Sequence, residues 1–195
     1  MKPLIINLLF LTLTIVSCSR NSNETETIAP IEKTSYNFVY NNSYETKDIV
    51  LYKGPLGVKQ NPTEKFIADI WNSYSIPEYT QIDVDTKGKT IRLHVGKNIV
   101  ENQIELSNDS IYIPKDKVFL GVLDKKNERL RLFKSFYYIK KHLESSGTSF
   151  SRFTKLGITK SEDIFGINTF NSPSEMTDPN DEIFWANLSF IYTSN

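Results

Sequence analysis

The amino-acid sequence predicts a mainly β protein: an antiparallel meander, either barrel-like or an open sheet, with one short amphipathic helix near residues 62–74. Apolar and polar residues alternate with a period of two in several runs, and short turns rich in glycine, asparagine and aspartate separate those runs. One stretch repeats its apolar residues at helical spacing instead. An α+β class stays open, because residues 135–147, SFYYIKKHLESSG, fit a strand and a helix equally well.

The helix is predicted at Pro62–Tyr74. Asn61 can cap its amino end, Pro62 suits the first helical position, and Glu64 stands where a capping box places its acidic residue. The apolar stripe of this helix consists of Phe66, Ile67, Ile70, Trp71 and Tyr74. Pro77 cannot continue a helix. We expect the stripe to pack on the apolar side of the sheet or to plug one end of a barrel.

Three hairpins are predicted after the helix. The first turns at Lys87-Gly88, the second at Asn108-Asp109 and the third within Asp124–Glu128. The runs on both sides of each turn alternate with a period of two, which is typical of paired antiparallel strands. The chain ends in one more strand, one face of which is formed by Phe184, Ala186, Leu188, Phe190 and Tyr192.

Residues 145–182 are rich in Ser, Thr, Asn, Gly and Pro and predict a long irregular connection with about two short strands or turns. Such connections often carry binding or catalytic groups. A serine nucleophile elbow is not indicated, because Gly147–Ser151 lacks the second glycine of that motif. A hydrolase that uses paired carboxylates of this segment stays open, because its acidic residues allow many pairings.

The first 17 residues have the features of an export signal. Lys2 supplies a positive charge, and the 13 residues of Leu4–Val16 are apolar apart from three polar side chains. A membrane-spanning helix needs about 20 apolar residues. The run is therefore predicted to be the core of a signal peptide covering residues 1–17.

The tetrapeptide Ile15-Val16-Ser17-Cys18 resembles the lipobox of bacterial lipoproteins. The resemblance implies that the sulfur of Cys18 receives a diacylglycerol, that a peptidase cuts before this residue, and that the new amino terminus is acylated as well. Two or three acyl chains, such as palmitate, hold a protein on a membrane firmly, whereas a single chain binds reversibly. The alternative is a buried or free thiol at Cys18.

The residues around the cysteine also bear on location. The wealth of Asn, Lys, Ile, Tyr and Phe resembles the output of AT-rich genomes such as those of the Bacteroidota. Ser19 is unlike the Asp of an inner-membrane retention signal, which favours the outer membrane. The first acidic residues, Glu24 and Glu26, come late and apart, unlike the acidic cluster of surface lipoproteins, so the periplasmic face is favoured over the cell surface. Residues 18–34 predict a flexible tether, and residues 35–195 predict one domain.

Composition excludes some classes of site and partner. Cys18 is the one cysteine of the sequence, so neither an internal disulfide nor a thiolate metal site is possible. Removal of residues 1–17 takes away Lys2 and no acid, which leaves 22 basic and 23 acidic residues and a net charge of −1. This balance gives no electrostatic reason to expect nucleic acid as a partner.

Metal chemistry is weakly indicated. Residues 83–88, DVDTKG, resemble the start of a calcium loop, but Lys87 occupies a ligand position and His94 stands where the bidentate Glu belongs, so a hairpin turn explains them. Residues 177–182, TDPNDE, with Asp178, Asp181 and Glu182, have the composition of an ordinary turn. His94 and His142 are isolated and do not have the spacing of a zinc site. No cofactor or metal is predicted, and Gly54–Gly57 is a turn rather than a phosphate loop.

Aromatic residues are enriched in this sequence and are the side chains most available for binding a ligand or partner. Phe136, Tyr137 and Tyr138 are consecutive, so a strand cannot bury all three on one face. We expect at least one ring to be exposed or to cover a loop, where, beside Lys140 and Lys141, it could bind a glycan, a peptide or a partner protein. The alternative is that the rings cover the second face of a curled sheet.

The sequence therefore predicts a membrane-anchored, non-enzymatic lipoprotein that binds a small ligand, a glycan or an envelope protein. A second hypothesis is an immunity or inhibitor lipoprotein that neutralises a toxin or hydrolase. The carboxylate-dependent hydrolase is the third. Asp109-Ser110-Ile111 also resembles the O-glycosylation sequon of exported Bacteroidota proteins.

Overall fold

The structure is a computed structural model that describes residues 32–71, 79–143, 147–166 and 170–194, with the backbone alone described for Trp71. The predicted signal peptide, Cys18 and all but the last three residues of the predicted tether lie outside these ranges. Among the described helices, none has both the length and the apolar composition required to cross a membrane.

Strands account for most of the described chain, as the period-two alternation predicts. There are also two short 3₁₀ turns, at Ser161–Ile164 and Pro173–Glu175. The strands and the helix are β1 (Ser35–Lys53), β2 (Val58–Gln60), α1 (Glu64–Trp71), β3 (Gln81–Asp85), β4 (Thr90–Val95), β5 (Asn98–Gln103), β6 (Glu105–Ser107), β7 (Ser110–Ile113), β8 (Val118–Asp124), β9 (Arg129–Leu143), β10 (Gly147–Leu156) and β11 (Glu182–Ser194).

All strand pairs are antiparallel and form one sheet in the order β5-β4-β3-β1-β11-β9-β8-β7-β6. The two end strands, β5 and β6, are consecutive in the chain and are separated by Ile104, which is buried in the core. The sheet is consequently nearly closed into a barrel. The mainly β class with one short helix is confirmed, and of the two predicted forms the sheet adopts the barrel-like one.

The two longest strands change partners halfway along their length. β1 pairs with β3 through residues 35–39 and with β2 through residues 51–53. β9 pairs with β8 through residues 129–132 and with β10 through residues 134–143. β11 lies between β1 and β9 throughout. We call the part built on β3 to β8 the barrel, and the part where β2 and β10 flank β1, β11 and β9 the extension.

Alternation decides which side chains fill the interior. The first predicted hairpin is confirmed, with Ile82 opposite Leu93 and Val84 opposite Ile91, all at most 1% exposed. The predicted turns at Asn108-Asp109 and within Asp124–Glu128 are also present. The predicted apolar face of β11 lines the same interior, with every one of its five residues at most 1% exposed.

The helix forms where the spacing predicts it, although its amino end differs. It begins at Glu64, and the side-chain oxygen of Thr63, rather than that of Asn61, accepts a hydrogen bond from the N–H of Phe66 at 3.2 Å. Phe66 packs against Tyr138 and Phe184 on the inner face of the extension. The described part of the stripe, Phe66, Ile67 and Ile70, therefore packs on the apolar side of the sheet. The side chain of Trp71 and the predicted continuation through Tyr74 to Pro77 lie outside the described residues.

The central strands of the extension are buried on both faces. Its outer face carries Val50, Tyr52, Tyr137, Ile139, Ile183 and Trp185, which form a second core with Ile164, Phe170 and Met176 from residues 157–181. That segment lies across the sheet. The ambiguous residues 135–143 are strand because they pair with both β10 and β11.

The irregular connection is shorter than the sequence predicts. Residues 147–156 form β10, which pairs with β9 over its whole length. β10 was missed because it is an edge strand with no buried residue, so apolar and polar side chains do not alternate along it. The irregular part is the segment that follows it, residues 157–181.

Candidate functional site

The interior of the sheet is filled by its own side chains. Phe38, Ile91, Leu120, Leu132 and Tyr192 each have 0% exposure. A side chain with no accessible surface has no water-sized space beside it, so these residues leave no room for a ligand between them. The hydroxyl of Tyr192 donates to the carbonyl oxygen of Tyr79 at 3.0 Å, and burial raises its pKa far above the ordinary value. Two grooves lie instead on the outer face of the sheet.

Three aromatic rings lie in a row on the outer face of β7, β8 and β9. The centroid of Tyr112 is 5.3 Å from that of Phe119, and Phe119 is 5.2 Å from Phe133. Both pairs are tilted, an arrangement favoured by the quadrupoles of aromatic rings. We call Tyr112, Phe119 and Phe133 the ring row. Tyr112 and Phe119 are partly exposed, whereas Phe133 is 2% exposed.

Close approach of two strands brings the ring row together. β8 contains a register shift opposite Ile111 and Tyr112, and at this point Gly121 faces Leu132 of β9. A Cβ atom on Gly121 would lie 2.2 Å from the carbonyl oxygen of Arg131. Only glycine allows β8 to come this near to β9.

One groove, which we call the basic groove, lies over Phe119 and Phe133 of the ring row beside β1 and has a volume of about 330 Å³. Its apolar lining is Phe119, Val122 and Phe133. Its charged lining is Lys47, Asp124, Arg129 and Arg131. Three cations thus face a single carboxylate around an apolar floor.

A bulge in β1 places Lys47 at this groove. The register of β1 with β11 shifts between Thr46 and Ile49, which leaves Lys47 and Asp48 outside the regular pairing. Asp48 accepts a hydrogen bond from the side-chain amide of Asn187 at 3.2 Å. The ammonium of Lys47 lies 5.3 Å from the centre of the Phe133 ring, in cation–π geometry.

The acidic groups near the basic groove already have partners. Asp124 accepts hydrogen bonds from the side chain and the backbone N–H of Asn127, and these lower the pKa of its carboxyl. Glu45 lies 3.3 Å from Arg131. In the part of the chain that the structure describes, neither Lys47 nor Arg129 has a carboxylate at salt-bridge distance.

A second groove, of about 400 Å³, lies in the fork where β8 and β10 separate along β9. Phe119 lines this groove as well, together with Lys117, Lys155, Lys160 and Asp163. Gly157 sits at the fork with φ +92°, and a Cβ there would lie 2.4 Å from Val118. The two grooves therefore meet at Phe119.

A buried polar cluster of Ser135, Tyr137, Thr159, Trp185 and Asn187 lies beside the fork. The indole N–H of Trp185 donates to the hydroxyl of Thr159 at 3.0 Å, and the Tyr137 hydroxyl is hydrogen-bonded to the same oxygen. Thr159 in turn donates to Ser135 at 2.8 Å. Asn187 donates to the carbonyl oxygen of Thr159 at 3.1 Å. The cluster fastens the start of segment 157–181 to the sheet.

The predicted binding aromatics lie in the two cores. Phe136 and Tyr138 face the interior, and Tyr137 faces the second core, where its ring stacks on Phe153 at 4.6 Å. Their exposed fractions are 0% for Phe136, 5% for Tyr138 and 0% for Tyr137. None of the three rings is exposed, but Tyr137 covers the irregular segment that follows β10, which is the other form of the expectation. The three rings together cover both faces of the curled sheet, as the alternative has it.

The acids of residues 157–182 serve the local backbone. Asp181, 1% exposed, accepts hydrogen bonds from the backbone N–H groups of Thr177, Asp178 and His142. Hydrogen bonds from the N–H of Asn171 and then from its side chain lower the pKa of Glu175. A general-acid carboxyl needs a raised pKa, whereas hydrogen bonds lower the pKa of Glu162 and of Glu175.

The calcium-like stretch is a hairpin turn. One carboxylate oxygen of Asp85 accepts the backbone N–H groups of Lys87 and Gly88. Asp83 lies 2.7 Å from a ring nitrogen of His94 and also accepts a hydrogen bond from Asn37. Over the described ranges, no three His, Cys, Asp or Glu side chains are placed to share a metal ion.

Sequence reasoning missed Lys47, Phe119 and Phe133. Phe119 and Phe133 occur in runs that predict strands, and strand aromatics are usually core residues. The available signal was parity: Phe133 follows Leu132, so the two must point to opposite faces. The bulge that carries Lys47 has no signature in the sequence.

Comparisons of this chain with protein-family models, with curated protein sequences and with solved structures give no match. The function is accordingly argued from the geometry of the chain itself.

Proposed function

We propose that this protein is a non-enzymatic binding protein of the cell envelope, held on the membrane by acylated Cys18, and that it takes its ligand at the basic groove. The observation that carries the proposal is the contrast between a filled interior and an outer groove with an apolar floor and a basic rim. Ligand sites commonly combine an apolar lining with a few convergent polar groups.

The predicted lipid anchor fits a binding site on the outer face of the domain. A tether of residues 18–34 would keep the domain near the membrane while leaving its outer face free to meet material of the envelope. The outer membrane is the location that Ser19 favours, and the periplasmic face follows from the late acidic residues Glu24 and Glu26.

A binding role is favoured over a hydrolytic one by the use of the carboxylates. Asp181 and Glu175 accept backbone hydrogen bonds, and Glu182 is paired with Lys53 and Lys140. Such carboxylates stabilise the fold, and protonating one to make it an acid catalyst would break those hydrogen bonds.

The test uses full-length protein solubilised in detergent from the membranes of the native cells. Its intact mass should show an acylated amino-terminal Cys18. Immobilised protein is then exposed to envelope polysaccharides and small-molecule extracts, and both retention and chemical change are followed by mass spectrometry. We expect retention of unchanged ligand.

The comparison of variants is Phe119→Ala against Phe150→Ala. Phe119 lines the basic groove, whereas Phe150 is 59% exposed on β10, away from it. Removal of the Phe119 ring should weaken retention at least tenfold, and removal of Phe150 should leave it unchanged. Steady conversion of the ligand, recovery of unmodified Met1 from cytosol, or equal retention by both variants would contradict the proposal. Circular dichroism establishes that both variants are folded.

A further inference from the structure

We infer that the basic groove is a subsite for an anionic sugar unit, with the carboxylate or phosphate held by Lys47, Arg129 and Arg131 and the ring lying on the apolar floor. This inference rests on the proposed function and deepens it by naming the chemistry of the ligand.

The balance of charge is the first argument. Three cations line one groove, and its single carboxylate, Asp124, is held by Asn127 in a turn and interacts electrostatically with Arg129 alone among the three. Lys47 and Arg129 have no carboxylate at salt-bridge distance within the described ranges. Like charges gathered in one place repel each other, and a bound anion relieves that repulsion. The domain as a whole is close to neutral, so this concentration of positive charge is local.

Arg131 can exchange its partner Glu45 for an anionic ligand. Its contact with Glu45 is 3.3 Å long, and the two side chains are 34% and 52% exposed. Exposed ion pairs of this kind contribute little to stability. A guanidinium also accepts a carboxylate or phosphate in a bidentate manner. An anionic ligand entering the groove can therefore replace Glu45 at small cost.

The contact between Lys47 and the ring beneath it can open when an anion binds. Phe133 is 2% exposed, and the Lys47 ammonium lies 5.3 Å from its ring centre. A lysine carries its charge on a flexible four-carbon stem. The ammonium can swing from the ring to an anion while remaining in the groove. That movement uncovers the face of Phe133 when an anion arrives.

The apolar floor selects what is attached to the anion. Phe119, Val122 and Phe133 offer rings and a branched side chain, which suit the C–H face of a pyranose. A volume of about 330 Å³ is at the small end of the range of ligand pockets. One sugar unit with its acidic group is the size that this groove takes.

The test measures binding of matched saccharides to the full-length protein by titration calorimetry. The probes are glucuronic acid, glucose 6-phosphate and neutral glucose, each a single sugar unit. We expect the acidic probes to bind at least tenfold more tightly than the neutral one, and the difference to shrink as salt is added. The better of the two acidic probes identifies whether the natural anion is a carboxylate or a phosphate.

The charge variants are Lys47→Gln and Arg129→Gln, with Lys117→Gln in the fork groove as the matched control. Lys47→Gln and Arg129→Gln should each lower the affinity for the acidic probes about tenfold and leave the affinity for the neutral probe unchanged. The control should change neither affinity. Equal affinity for acidic and neutral probes, or indifference to both variants, overturns the anionic subsite.

The two proposals fail in different ways. If envelope material is retained through Phe119 but substitution of Lys47 and Arg129 has no influence, binding at the Phe119 ring stands and the anionic class is wrong. If Phe119→Ala has no effect on retention, the groove itself is not the site and both proposals fall.

Discussion

The barrel and the extension use the same strands in different ways. In the barrel, the first hairpin buries one face and leaves the other, with Asp83 and Arg92, to solvent. In the extension, Ser135 to Ile139 and Ile183 to Ser189 are buried on both faces without interruption. Strands covered on both sides lose the alternating pattern and become continuously buried. Antiparallel pairing by itself therefore does not decide how many faces of a sheet are covered.

The two regions also differ in how far apart in the chain their contacts lie. The hairpins of the barrel pair neighbouring strands across short turns. The cover of the extension comes from residues 157–181, and Thr159 meets Ser135 and Asn187 across 24 and 28 residues. Units held by a few long-range contacts open more easily than the core. We expect the cover to open locally while the barrel stays folded.

The largest loss of stability is expected for a substitution in the barrel core. Leu132→Ala removes a side chain of 0% exposure from a filled interior and should lower the free energy of unfolding by about 2–5 kcal/mol. Denaturant titration measures this, and Ile99→Ala, at a position 57% exposed, should change the same quantity by less than about 0.5 kcal/mol. Similar losses for the two variants would mean that the interior is not packed as described.

A smaller loss of stability, confined to one region, is expected for a substitution in the extension. Asn187→Ala takes hydrogen-bond partners from Thr159 and Ser135, both of them buried, and should cost about 1–3 kcal/mol. Hydrogen exchange should speed up most in residues 157–165 and little in β3 and β4. Asn98→Ala, at an exposed position, is the control. If all amides accelerate together, the two regions are one cooperative unit and the comparison fails.

The smallest change in stability is expected at low pH, from Asp83 on the outer face of the barrel. Partial burial opposes ionisation of Asp83, but hydrogen bonds from His94, Gln81 and Asn37 lower its pKa below the ordinary 3.8. Its contribution to stability is therefore complete above pH 3.8 and is lost as the pH falls through the lowered pKa.

Asp83→Asn removes this dependence, and its effect at neutral pH should be below about 1 kcal/mol because the pair is partly exposed. Unfolding curves from pH 6 to pH 2 should show the native protein losing more stability than the variant below pH 4. Asp109→Asn, at an exposed turn, should retain the native pH profile. Parallel profiles for Asp83→Asn and the native protein would contradict the role of the pair.

The candidate site lies where the two regions meet. Arg129 and Arg131 belong to the part of β9 that pairs with β8, and Phe133 is the last residue before β10 takes over. The sequence predicts these residues as strand but not as neighbours of Lys47. Their proximity needs the pairing of β1 with β11 and of β11 with β9, which joins segments separated by most of the chain.

By itself, the sequence determined the local structure: the turns, the interior face of each hairpin and the described part of the apolar stripe of the helix. Each depends on residues close together in the chain, where alternation, capping and turn chemistry act directly. Only the tertiary structure decided that Tyr137 is covered, that β10 is an edge strand and that Lys47 lies on Phe133. Burial on a second face and contact across a bulge depend on segments far apart in the chain, and no local pattern encodes which of them will meet.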